Sequence, residues 1–245
     1  MKIYSKTDIG MHRSMNQDSL FVSEAGSNGL TLCILADGMG GYKGGEIASK
    51  VAITAVSKYI TEQFESTQKD KDSLLSLVGS AIEFANTAIY EESEQDEELH
   101  DMGTTLEIIM LYKNKLYIGH IGDSRIYRIR KNVMKKITTD HSYVEKLIQD
   151  GEITREESYN HPKKNLLTRA LGTDETVDAD LIYTVLNKND VLIMCSDGLT
   201  NMVRENEICD IVLETTEDAS GALIDEANAA GGIDNISVII MDNRV

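Results

Sequence analysis

Aspartates recur in this chain at the ends of apolar runs, a position from which a carboxylate can do chemistry. Residues 32–36 lead into Asp37-Gly38-Met39-Gly40-Gly41, residues 191–195 into Ser196-Asp197-Gly198, and residues 116–121 into Gly122-Asp123-Ser124-Arg125. Asp234-Asn235 stands directly before the last apolar run, 236–241. A carboxylate at the end of a buried strand is partly desolvated and fixed in place, so its charge is costly unless a cation or a donor neutralises it. Several such groups converging would demand a metal. Gly38 fits that reading, because without a Cβ a cation can approach the main chain and use its carbonyl as a ligand. Hard oxygen donors without His or Cys favour magnesium or manganese over zinc. A lone Asp-Gly is an ordinary turn; the register of four aspartates with apolar strands is what separates these from turns. No segment offers the alternating acidic ligands of an EF-hand loop, and Gly38-Met39-Gly40-Gly41 lacks the Gly-Lys-Ser/Thr ending of a Walker phosphate loop.

These residues need a frame. Short β-like runs are expected at 19–24, 30–36, 104–112, 116–121, 126–130, 191–195 and 236–241. Two helical stripes lie between them, one through Ile47, Val51, Ala55 and Tyr59, the other through Leu74, Leu77, Val78, Ala81, Phe84, Ala85 and Ala88. Tyr112-Lys113-Asn114-Lys115-Leu116 joins two runs through a short polar turn, which predicts an antiparallel hairpin. Apolar strands need cover on both faces, so the predicted fold is α+β, two mostly antiparallel sheets packed face to face with helices outside. Residues 141–168 are polar, hold the only proline (Pro162) and carry a helical pattern around Val144, Leu147 and Ile148. They read as an insertion, either a flap beside a site, with Lys163, Lys164 or Arg169 touching substrate, or an ordinary surface loop.

The length of 245 residues suits one domain, 1–245. With 41% hydrophobic and 27% charged residues the chain can form a core, which excludes disordered and fibrous classes. Its 24 Lys and Arg against 41 Asp and Glu leave a net charge of −17, which repels nucleic acid and anionic membrane surfaces. Cys33, Cys195 and Cys209 are odd in number and read as core residues in a reducing compartment. With no apolar leader and no membrane-length apolar stretch, a cytoplasmic protein is expected. The sequence ends at Val245 just after its last run, so no anchoring tail is expected.

In order along the chain, Arg13-Ser14-Met15-Asn16-Gln17-Asp18, Ala36-Asp37-Gly38-Met39-Gly40-Gly41, Gly103-Thr104-Thr105, Gly122-Asp123-Ser124-Arg125, Ser196-Asp197-Gly198 and Asp234-Asn235 resemble the metal-dependent protein phosphatases, the protein phosphatase 2C-like enzymes, and especially their compact bacterial members. The resemblance spans nearly the whole chain. It implies a four-layer αββα sandwich and hydrolysis of phosphoserine and phosphothreonine without a covalent intermediate. It further implies that Asp37 bridges two Mn2+ or Mg2+ ions, that the Gly38 carbonyl binds one of them, and that Asp197 and Asp234 bind the other. Asp18, with Gln17, would hold metal-bound waters, and Asp123 with Asp197 would take a third, weaker ion. Arg13 corresponds to the phosphate-binding arginine, whose planar fork suits two phosphoryl oxygens.

Water between the two ions would be the attacking group, in line with the leaving oxygen. Thr104 and Thr105 either shape the site or are simply buried strand residues. Met39 stands where animal relatives carry a histidine proposed as the acid for the leaving alkoxide, and methionine cannot donate a proton. Water on a third ion is the expected substitute, with His120 and His141 as weaker alternatives. No Cys-x5-Arg loop is present, so the thiol route to phosphate transfer lacks its parts. The implied partners are phosphorylated proteins and a separate serine/threonine kinase, with the chain acting as a monomer. The alternatives are a non-catalytic relative of the same fold and an enzyme dedicated to one regulatory partner.

Overall fold

The computed structural model describes residues 1–215 and 217–244, the side chains of residues 41 and 42 excepted; Val245, the end of the expected domain, lies outside the described residues. The strands form two antiparallel sheets. The first runs β1 (Lys2–Asp8), β11 (Ile236–Asp242), β10 (Val191–Cys195), β7 (Arg125–Arg130) and β8 (Val133–Lys136). The second runs β2 (Asp18–Ser23), β3 (Leu30–Met39), β5 (Leu106–Tyr112), β6 (Lys115–Ile121) and β9 (Asp180–Val185), with β4 (Gly103–Thr104) paired to the end of β3.

The period of two along each strand builds the layers. Leu32, Ile34 and Ala36 of β3 join an apolar cluster with α1 (Gly41–Phe64) and α2 (Lys71–Ser93), while Cys33 and Leu35 point the other way. There they meet Ile118, Leu192, Met194 and Ile239 between the sheets. On the far side, Val191, Ile193 and Cys195 pack with Ile208 and Val212 of α6 (Glu205–Glu214) and Leu223 and Ile224 of α7 (Ala219–Ala229). Three apolar spaces separate four layers, the αββα order expected.

Several local expectations need correction. The most deeply buried face of α1 is Ala48, Ala52, Val56 and Ile60; of the expected stripe Ala55 is buried, while Ile47, Val51 and Tyr59 are half-buried and pack against the edge of the same cluster. Phe84, placed in the α2 stripe, is 49% exposed and packs against Tyr59 at the surface. Strands β1, β8 and β9 were not expected, and all three are sheet edges, where one flank faces water and apolar alternation weakens. The outer helices α6 and α7 were not expected either; half of the buried face of α7 is Ala219, Ser220 and Gly221, which beside Leu223, Ile224 and Ala227 leave only a weak apolar stripe.

Between β8 and β9 lie α3 (Tyr143–Gln149), where the pattern around Val144 placed a helix, and the short α4 (Arg155–Ser158). The segment is stitched down at His141, whose N–H donates to the Gly122 carbonyl (2.7 Å) and whose carbonyl accepts from Thr168 N–H (2.8 Å).

One ionic pair sits inside the inter-sheet layer. Glu107 and His120 are register partners on β5 and β6, neither exposed, and Glu107 Oε1 is hydrogen-bonded to His120 Nδ1. The Thr139 carbonyl takes the other ring nitrogen at 2.8 Å. Burial pushes Glu107 up to about 7 although His120 pulls it down. In His120 burial acts downward, and Glu107 outweighs it to lift the ring to about 8. Replacing either residue alone with leucine is expected to cost about 3–5 kcal/mol, because the survivor is left buried without its partner. Urea unfolding of both single variants and the double should show the double losing well under the sum; additive losses would mean the two residues act independently.

Candidate metal and catalytic centre

Three strand ends and the interior of β3 deliver aspartates to one cavity of about 420 Å³, whose wall includes Arg13, Asp37, Gly38, Asp123, Asp197 and Asp234. Asp37 lies inside β3, which continues to Met39 instead of ending at Ala36 as expected. Its main chain is clamped: Asp37 N–H donates to Thr105 Oγ1 (3.0 Å), and its carbonyl accepts from Thr105 N–H and Thr104 Oγ1 (both 2.9 Å). The two threonines therefore shape the site. Thr105 Oγ1 also contacts Ser124 Oγ at 2.9 Å, tying the Asp37 strand to the residue after Asp123.

Asp197 opens the one-turn helix α5 (Asp197–Thr200), and Asn201 Nδ2 donates to its Oδ2 at 2.9 Å. Asp234 is held by Arg13 Nη2 at 2.8 Å. Asp18 is the register partner of Asp37 and lies just beneath the cavity, 8% exposed, with Ser196 Oγ donating to its Oδ2 at 2.9 Å. A close approach explains the glycine at 38: a Cβ there would stand 1.9 Å from the Gly45 carbonyl oxygen and 2.7 Å from that of Gln17. The tight seat of α1 against β3, more than room for a cation, requires the missing side chain.

The charges are poorly compensated. Burial, and then Asp18, Asp197, Asp123 and Asp234 in turn, push Asp37 well above the usual carboxylate range. Burial followed by Asp197 and Asp140 does the same to Asp123, despite Arg125. Asp197 is raised by burial and by Asp234. Asp18 is raised to about 6, burial outweighing its bonds to Ser237 and Ser196. Its Oδ1 is buried with no hydrogen-bond partner.

An all-oxygen donor set, crowded negative charge and an orphaned carboxylate oxygen fit divalent cations of the magnesium and manganese type. The fit is one of chemistry and charge. Among the described residues, no three His, Cys, Asp or Glu side chains already form a group arranged to hold an ion. Arg13 engages Asp234, and Asn201 engages Asp197.

The sequence profile described as protein phosphatase 2C matches residues 11–222. The chain belongs to the protein phosphatase 2C family. Protein phosphatase PhpP of Streptococcus pneumoniae is 38% identical over 98% of this chain and 97% of its own length. A serine/threonine phosphatase of S. agalactiae superposes with a TM-score of 0.89 at 36% identity, covering 98% of both chains. The catalytic domain of the serine/threonine phosphatase PstP, solved with two manganese ions, does so with a TM-score of 0.85 at 32% identity, covering 98% of this chain and 97% of that one. The phosphatase fold of these relatives is the four-layer sandwich seen here.

Of the residues singled out in the sequence of this phosphatase 2C, Arg13, Asp37, Gly38, Asp123, Asp197 and Asp234 line one cavity, Gln17 and Met39 with them, and Asp18 backs it. Neither histidine weighed as an acid lines it; His120 and His141 are 0% and 7% exposed. Arg169 faces a different cavity and pairs with Asp180 at 3.1 Å, and Lys164 lines a small neighbouring cleft. Asn201, Asn165 and Leu167 were missed. Asn201 was findable, four residues after Asp197 and so on the same face of one helical turn. Asn165 and Leu167 reach the cavity through a long polar segment whose path carries no periodic signal.

Proposed function

We propose that this phosphatase hydrolyses phosphoserine and phosphothreonine monoesters of proteins by direct, in-line attack of water at the cavity of Asp37, Asp123, Asp197 and Asp234. The observation that carries the reading is the convergence on a single cleft of three buried, poorly compensated carboxylates, Asp37, Asp123 and Asp197, together with Asp234 and the exposed arginine paired to it. Divalent cations held there supply water activation and neutralisation of the phosphoryl charge. Asp37, the Gly38 carbonyl, Asp197 and Asp234 are the proposed ligands, Mn2+ or Mg2+ the proposed ions, and Asp123 with Asp197 the proposed place of a third. Asp18, behind Asp37 with one oxygen unpaired, is proposed to orient water.

Arg13 is proposed to grip the phosphoryl group. Its side chain is half-exposed at the rim, and the Asp234 contact keeps the fork turned over the cavity. Arg13→Lys keeps the charge and loses the fork, so kcat/KM for a phosphothreonine peptide should fall about 10- to 100-fold, the worth of one or two charge-assisted hydrogen bonds. Steady-state phosphate release with added Mn2+ reads this, and an unchanged kcat/KM would remove the role.

The proposed substrates are products of a separate serine/threonine kinase. Three buried free cysteines support a reducing, cytoplasmic setting, and among the described residues no helix is long and apolar enough to cross a membrane. Action as a monomer is part of the same proposal. Release of phosphate from phosphoserine and phosphothreonine peptides, with a phosphotyrosine peptide as comparison, tests the substrate class; equal rates on all three would refute it.

A further inference from the structure

His141 lies outside the catalytic cavity yet holds two parts of its wall. Gly122, between β6 and Asp123, has a φ of +106°, and a Cβ there would stand 2.6 Å from Thr105 Cβ. Ser124 Oγ, 2.9 Å from Thr105 Oγ1, ties down the far side of that turn, but Gly122 has no side chain to fix the near side. His141 brackets it on both sides: Gly122 N–H donates to His141 Nδ1 (3.2 Å), and Gly122 C=O accepts from His141 N–H (2.7 Å). The His141 carbonyl accepts from Thr168 N–H at 2.8 Å, next to Leu167, which with Asn165 lines the same cavity as Asp123.

The ring has one tautomer compatible with this arrangement. Gly122 N–H is a main-chain donor with no freedom to turn away, so Nδ1 is the acceptor and Nε2 carries the proton, 3.4 Å from Asp180 Oδ2. Arg169 Nη1, 3.2 Å from Nε2, has Asp180 Oδ1 at 3.1 Å as its own acceptor. Burial, then the neighbouring His120 ring 4.5 Å away, pulls His141 down to about 4, so the ring stays neutral around pH 7.

We propose that His141 is a positioning residue for this phosphatase: its Nδ1, by accepting from Gly122 N–H, aims the Asp123 carboxylate into the cavity and locks that turn to the wall of Asn165 and Leu167. The inference rests on the reading that Asp123 works in the site. It assigns His141 no proton transfer and no contact with substrate.

The test compares acceptor chemistry with packing. Asparagine places an amide oxygen near the position of Nδ1, glutamine places one farther out, and phenylalanine fills the space with no acceptor. His141→Asn should keep slow hydrogen exchange at the Gly122 amide and kcat/KM within about threefold of the parent, as expected where the bond is retained. His141→Phe and His141→Gln should speed exchange at that amide and lower both kcat/KM and Mn2+ affinity, read by isothermal titration, about tenfold, the worth of one buried bond. Should the phenylalanine variant not fold, the asparagine and glutamine variants still decide. Phenylalanine matching or surpassing asparagine in exchange and turnover would overturn the proposal in favour of simple packing. Asp123→Asn separates the two readings: with that variant inactive and all three His141 variants fully active, His141 has no positioning role. Were Asp123→Asn fully active, the role of Asp123 would fall, and any faster exchange at Gly122 would be without catalytic consequence, which overturns the inference too.

Discussion

Asp37→Asn should lower turnover of a phosphothreonine peptide at saturating Mn2+ about a thousandfold or more, several kcal/mol of transition-state stabilisation, and the same change should make the metal-free protein more stable. Both follow from one geometry. Asp37 is the carboxylate on which the other four act, Asp18, Asp197, Asp123 and Asp234 each raising it after burial has done so. A charge that its surroundings disfavour is a folding cost carried by the native state, and the isosteric amide removes it without opening a cavity. Thermal unfolding without metal should shift upward by roughly 2–4 °C for each kcal/mol relieved. The Thr104 and Thr105 contacts are to the Asp37 main chain and survive the substitution, so a loss of activity cannot be assigned to a collapsed strand. Turnover within tenfold of the parent, or a metal-free variant less stable than its parent, would contradict this account.

Removal of divalent cations should be as severe. Stripping with EDTA is expected to bring phosphate release to background, and Mn2+ should restore it. Manganese should also raise the unfolding temperature of the intact protein, because an ion present at about 100 times its Kd adds about 2.7 kcal/mol to the native state. In Asp37→Asn that added stability should largely vanish. The expectation comes from the crowded carboxylates and the unpartnered Asp18 Oδ1, which leave the native protein short of positive charge in its own cleft. Turnover indifferent to the chelator would end the metal-dependent reading.

Much of this centre was legible in the sequence because its residues sit where two simple patterns meet, an apolar run and an aspartate beside one of its ends. Asp37, Asp123, Asp197 and Asp234 needed no knowledge of topology to be noticed, only of burial. What could not be read was relational. The reason for glycine at 38 depends on Gly45 returning to within contact, and the part played by Thr105 depends on Asp37 and Ser124 arriving on either side of it. In the fold, the inner strands announced themselves because both faces are apolar. The edge strands β1, β8 and β9 did not, since water on one flank relaxes the demand for alternation. In α1 the bulkier Ile47 and Val51 mark the apolar side, while Ala48 and Ala52, small enough to let the helix approach the sheet, form its deepest part and carry little signal.

The cavity straddles a seam. Asp18 and Asp37 ride on one sheet, Asp197 and Asp234 stand at strand ends of the other, and Asp123 lies on the link from β6 to β7 that crosses between them. The spacing of the carboxylates is therefore set at a distance, by the thickness of the apolar filling made by Leu35, Ile118, Met194 and Ile239. Trimming or swelling those side chains should shift the proposed ligands relative to one another without replacing any of them, as the jaws of a vice are adjusted from within the handle.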